Sequence, residues 1–152
     1  MNSKLVLAVM AAVIILLGAA IAQDSPYVGA DACKTCHEAI HGAWSGTAHA
    51  RALLRLSAQD RESGQCIGCH VTGSPEQIAA EGANPSLPGV QCEACHGPGR
   101  KHAETAAAGT PQAGTVARTP DAKACTRCHN DKSPHYSPFF YAAMKSLVHR
   151  VR

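Results

Sequence analysis

The pentapeptide Cys-x-x-Cys-His occurs four times in this chain: Cys33-Lys-Thr-Cys36-His37, Cys66-Ile-Gly-Cys69-His70, Cys92-Glu-Ala-Cys95-His96 and Cys125-Thr-Arg-Cys128-His129. These units use all eight cysteines and four of the nine histidines. Their first cysteines are 33, 26 and 33 residues apart, too irregular for a solenoid, so the repeated object is a clip and not a structural repeat. In such a clip the two thiols lie one helical turn apart and reach the two vinyl groups of one porphyrin. The next residue swings an imidazole under the iron. Two Cys-x-x-Cys pairs would also suit a four-thiolate zinc site, and an exported chain can form disulfides. Neither alternative has a use for a histidine fixed at the next position in every unit. The pattern therefore reads as four covalently attached c-type haems.

The remaining composition makes that reading structurally necessary. The chain has only one Trp, three Tyr and two Phe, against 13 Gly and nine Pro. Such a chain has little with which to offset its conformational entropy. The expected fold is mainly α with extensive loops, a compact multihaem cytochrome c whose core is built by the haems.

Residues 1–22 read as a signal peptide: Lys4 is the basic region, Leu5 to Ala22 carries no charge, and Ala20-Ile-Ala22 suits cleavage. Residues 23–152 are then one tetrahaem domain, periplasmic or secreted. Membrane attachment follows only if the leader is retained, as an apolar segment at the short end of a spanning helix. The formal net charge is +3, and removal of Lys4 leaves 13 basic against 11 acidic residues. No basic run exceeds Arg100-Lys101, which leaves a nucleic-acid role without support. Eight haem propionates would outweigh that small positive charge.

Residues 33–58 are expected as helix in two pieces broken near Gly46, with Trp44 on the face of Cys36 and Leu53, Leu54 and Leu56 as the apolar part of the second piece. Residues 59–100 are expected mostly as loop. Residues 97–120 are expected as a surface excursion with at most a short helix. Thr119-Pro120-Asp121 starts a helix into Cys125. A last helix is expected over residues 139–152, with Phe140, Met144, Leu147, Val148 and Val151 at the 3.6-residue period. No strand pattern is evident.

Five histidines lie outside the clips: His41, His49, His102, His135 and His149. Four irons in a small volume need sixth ligands, and imidazole or thioether are the usual choices. Met144 is the only methionine beyond the leader. His41 follows His37 by one turn, so the haem plane itself screens it from its own iron.

Beyond the clips, Tyr27-Val-Gly-Ala-Asp-Ala-Cys33, Trp44 with Thr47-Ala-His49-Ala, Gly64-Gln-Cys66 to Gly73, Gly89-Val-Gln-Cys92 to Arg100, and Ser133-Pro-His-Tyr-Ser-Pro138 occur in order. Together they resemble the tetrahaem cytochrome c family of ammonia-oxidising bacteria, electron acceptors of hydroxylamine oxidoreductase, over nearly all of the chain after the leader. The resemblance implies sixth ligands: His102 for the His37 haem, His49 for the His96 haem and His149 for the His129 haem. It implies a five-coordinate haem on His70. This chain departs from the family in being shorter after the fourth clip and in having His41 and His135, either of which could close the His70 iron.

The resulting expectation is an electron carrier between redox partner proteins, not an enzyme. No Ser-His-Asp pattern and no paired carboxylates suggest other catalysis. Two alternatives remain open at this level. One is reaction of a small nitrogen oxide or peroxide at a vacant position on the His70 haem. The other is a homo-oligomeric extracellular filament, in which His41, His135 or His149 ligates a neighbouring subunit's haem.

Overall fold

The computed structural model describes residues 25–149. The expected leader, and Arg150 to Arg152 of the expected last helix, lie outside the described residues. Among those described, nine short α-helices are joined by long loops, and no strand occurs beyond a single bridge between Val71 and Pro88.

Three of the helices start at side-chain caps. Helix α1 (Ala30–Lys34) carries the first clip, and α2 (Glu38–Ser45) starts from His37 and stops at Gly46. A 3-10 turn covers Leu53–Arg55. Helix α3 (Ala58–Glu62) is opened by a capping box in which Ser57 and Asp60 exchange hydrogen bonds. Helix α4 (Gly64–His70) contains the second clip, and α5 (Pro75–Glu81) is capped by the Ser74 hydroxyl with Pro75 in its first turn. Helix α6 (Cys92–His96) is the third clip itself, and α7 (Arg100–Ala107) follows after Gly97 and Gly99. Helix α8 (Ala122–Thr126) is capped by Asp121, as the Thr-Pro-Asp start requires, and leads into the fourth clip. Helix α9 (Tyr141–Met144) continues as a 3-10 turn over Lys145–Leu147.

Two expectations are corrected. Residues 59–100 are not mostly loop: α3, α4, α5 and α6 lie within them. Each is too short for an apolar period to register in the sequence; Ser57 and Ser74 caps mark α3 and α5, and the clips themselves mark α4 and α6. The last helix is also shorter than its periodicity suggests. Phe140 is extended (φ −108°, ψ 94°), and Phe140, Met144 and Leu147 are exposed rather than packed against other helices. A helix of so few turns has little stability without a packed face.

The polypeptide core is thin. Leu53, Ile67 and Val71 form its centre, with Leu56 and Ile78 against it. The remaining buried residues include Thr72, Gln91 and Glu93, all polar. Residues 87–91 act as a strap across this centre. Thr72 N–H donates to Leu87 C=O, Gly89 N–H to His70 C=O (3.1 Å), and Val90 N–H to His49 C=O (2.9 Å). Thr72 Oγ1 donates to Gly89 C=O and accepts from Gln91 N–H, while Trp44 Nε1–H donates to Val90 C=O at 2.9 Å. Gly89 has φ +83°, and a Cβ there would lie 2.6 Å from Ala50 C=O oxygen. Only glycine lets the strap press so closely on the His49–Ala50 backbone.

Candidate cofactor site

The clips close locally as the sequence requires. His37 N–H donates to Cys33 C=O and His129 N–H to Cys125 C=O, both at 3.0 Å, which is one helical turn from first cysteine to histidine. Helix α6 packs on both α1 and α8, so the third clip lies between the first and the fourth.

Glu93, at a variable position of the third clip, joins three separate segments. It is 4 % exposed, and its carboxylate accepts from Gly29 N–H (2.7 Å), Val28 N–H (3.0 Å) and Gly99 N–H (2.7 Å). Gln91 Oε1 adds an acceptor for Ala30 N–H at 2.6 Å, and Arg100 N–H donates to Pro26 C=O. These bonds seat α1 and α7 on the third clip. In consequence the His37 ring, just after α1, faces the His102 ring on α7.

That facing pair is one of three. Ring centroids are 6.4 Å apart for His37 and His102 at an interplanar angle of 16°, 6.0 Å for His49 and His129 at 63°, and 6.2 Å for His96 and His149 at 23°. A metal–imidazole bond of about 2.0 Å puts a metal about 3.1 Å from each ring centroid, so an ion between two axial imidazoles separates them by about 6.2 Å. Each pair couples a clip histidine to one outside the clips. The assortment differs in part from the expectation: His49 faces His129 rather than His96, and His149 faces His96 rather than His129. The third and fourth clips are neighbours, so either assortment is within reach of the chain. The strap fixes the His49 backbone through Val90, and that register puts its ring beside the fourth clip, where Phe139 stacks on His129 at 4.8 Å.

Backbone carbonyls set the tautomers of two clip histidines. His70 Nδ1–H donates to Ala52 C=O at 2.7 Å, and His96 Nδ1–H donates to Ala117 C=O at 2.5 Å. A carbonyl can only accept, so each Nδ1 carries the proton and each Nε2 keeps its lone pair for a metal. Ala117 N–H donates back to His96 C=O at 2.8 Å. The Gly/Ala/Thr/Pro excursion thus returns to orient a clip histidine, a role its composition does not announce. Burial, and secondarily His129, lowers the pKa of His49, which favours a neutral ring able to bind metal.

His70 has no second imidazole stacked opposite it among the described residues. His41 lies elsewhere, with Nε2 3.8 Å from an Asp31 carboxylate oxygen and its ring 5.3 Å from Trp44. His135 is exposed at the rim of a cavity of about 1220 Å³ that His70 also lines. The same cavity is bordered by Cys69, Cys95, Cys125, Cys128, His49 and His129, so it serves more than one clip. No disulfide joins any of the eight cysteines, and among the described residues no three His, Cys, Asp or Glu side chains converge on a point.

The thiols do meet between clips. The neighbouring Cys92 thiol, and burial with it, raises the Cys33 pKa, while Cys33 lowers that of Cys92 to about 7. Cys128 is pushed up to about 12 by burial and by the nearby Cys69 thiol. Burial raises Cys95, and the neighbouring Cys125 raises it further. The third clip is thus packed against the first and the fourth, and the fourth shares a cavity wall with the second.

Comparison with known proteins gives this arrangement a context. Residues 32–97 match the family described as cytochrome c554 and c-prime. The chain is 35% identical to cytochrome c-554 of Nitrosomonas europaea over 101 residues, which are 55% of this chain and 43% of that protein. It thus spans less than half the length of that curated relative. A solved structure, the reduced state of cytochrome c554 from Nitrosomonas europaea, is similar with a TM-score of 0.46 at 25% identity, covering 84% of this chain and 80% of the other.

Proposed function

We propose that this chain, a relative of cytochrome c554 by the match over residues 32–97, carries four covalent c-type haems and transfers electrons between redox proteins outside the cytoplasm. Cys33 and Cys36, Cys66 and Cys69, Cys92 and Cys95, and Cys125 and Cys128 would hold the porphyrins. His37, His70, His96 and His129 would be the proximal ligands. The observation that carries this reading is the set of three imidazole pairs, 6.0–6.4 Å between centroids, each led by a clip histidine. In that assignment His102, His49 and His149 complete the irons of His37, His129 and His96. When bound, a bis-imidazole haem supplies one-electron chemistry with no open position for a substrate.

The packing of the third-clip helix on the first and fourth, and the cavity shared by the fourth and second, favour an order for transfer: first clip, third, fourth, second. The ends of that order, at His37 and His70, are then the places for donor and acceptor proteins to dock. The tautomers fixed by Ala52 and Ala117 keep His70 and His96 oriented, so little reorganises when charge moves.

A second reading rests on His70. Its ring borders the large cavity and has no imidazole stacked against it, which suits a five-coordinate iron open to a small nitrogen oxide. Carbon monoxide added to the fully reduced holoprotein tests both readings. One haem in four should bind it, with the spectra of the other three unchanged. Binding by two or more haems would break the proposed pairs, and binding by none would end the second reading.

A further inference from the structure

The guanidinium of Arg61 is a charged group with an unmet need. Its Nε is buried and has no hydrogen-bond partner. Arg61 sits in the last turn of α3, which packs on the clip helix α4, five residues before Cys66. It lines the cavity shared with Ile67, Gly68, Cys69 and His70. Glu62 lines the same cavity, yet the ion pairs among the described residues are His41 with Asp31 and Arg100 with Glu104.

A buried, unpartnered guanidinium N–H is expensive, because it loses water without gaining an acceptor. Among the described residues no carboxylate meets this Nε, so its partner must come from whatever fills the cavity. A haem bonded by its vinyl edge to Cys66 and Cys69 brings two propionates of its own. Carboxylate and guanidinium are matched in charge and in planar fork geometry.

We infer that Arg61 anchors a propionate of the haem carried by the second clip and, through its charge, holds that haem's reduction potential up. The inference rests on the haem assignment proposed above. Arg61 is a positioning residue that touches the cofactor's edge and not its iron. A cation near the porphyrin opposes the extra positive charge of the ferric state, so removing it favours ferric over ferrous iron. It also keeps the propionate ionised. Without it the carboxyl titrates at higher pH, and because the ferrous state binds that proton more tightly, the potential falls as pH rises through that range.

The test is potentiometric titration of the four-haem protein, with R61Q and R61K compared with wild type at several pH values. In R61Q one midpoint of four should fall, and its pH-dependent range should move upward. R61K, which retains the charge, should recover most of the shift. Four unchanged midpoints in R61Q, or equal falls in R61Q and R61K, would overturn the inference. If R61Q fails to load four haems, Arg61→Met is read in its place: one lowered midpoint of four supports the inference, and four unchanged midpoints refute it. Acetate or phosphate titrated into wild type distinguishes a free anion from the propionate. The inference requires no response, and a midpoint that moves with added anion contradicts it. A wild-type protein lacking haem would instead defeat the underlying assignment.

Discussion

Glu93→Ala is expected to destabilise the holoprotein by about 3 to 9 kcal/mol, because it leaves three N–H donors without their acceptor at about 1 to 3 kcal/mol each. The donors are Val28, Gly29 and Gly99, and the carboxylate that serves them is 4 % exposed. Water entering the gap would recover part of the loss, which sets the lower end of the range. Glu93→Gln keeps one carbonyl oxygen but turns an amide N–H toward a donor, so a smaller loss is expected, about half as large. Thermal unfolding followed by circular dichroism checks both, and a fall of about 10 °C or more is expected for the alanine variant. The damage should also reach the first clip. The loop over residues 25–29 seats α1 against α6, and α1 leads to His37. Loss of the carboxylate should therefore loosen the His37–His102 pair and produce a partial high-spin signal. Equal melting temperatures for wild type and alanine variant would refute the role of Glu93.

His49→Ala should convert one iron in four, about a quarter of the total, from low to high spin, because a ferric haem losing an axial imidazole loses its strong-field ligand. The identity of that iron is specific to this fold. His49 faces His129 with ring planes 63° apart, whereas the other two pairs are at 16° and 23°. Nearly parallel imidazole planes split the two π-type d orbitals of iron, whereas crossed planes leave them close in energy. The His49–His129 iron should therefore give the most anisotropic low-spin signal in electron paramagnetic resonance. In His49→Ala that signal should vanish while the two rhombic signals persist, and added imidazole should restore it. The affected haem should also rise in potential, since imidazole stabilises the ferric state. Loss of a rhombic signal instead would mean that His49 serves another clip.

The chemistry of this chain is far more legible in its sequence than its architecture. The clips are contiguous, and their spacing is fixed by one helical turn, so Cys33 to His37 can be read without knowing the fold. His102 could be matched to His37 only through a resemblance to known cytochromes, and the two rings do face each other. For His49 and His149 the same resemblance gave the opposite partners. What decides between two adjacent clips is a backbone strap at Gly89 and Val90, contacts that leave no periodic mark. Glu93 was invisible for a related reason. A carboxylate at a variable clip position carries no pattern, and its importance comes from three N–H groups brought to it by distant segments. The terminal stripe of Phe140, Met144 and Leu147 has a clear helical period, yet the helix is only Tyr141–Met144 and the stripe is exposed. Period alone shows what a segment could bury, not what lies opposite to receive it.

The central claim is that three facing histidine pairs each clasp a haem iron. Near-infrared magnetic circular dichroism of the fully oxidised holoprotein tests it most directly, because the charge-transfer band energy reports the axial ligands of each ferric haem. The account predicts three irons with two imidazoles and one, at His70, with a single imidazole. Fewer than three bis-imidazole irons, or a band belonging to methionine ligation, would contradict it.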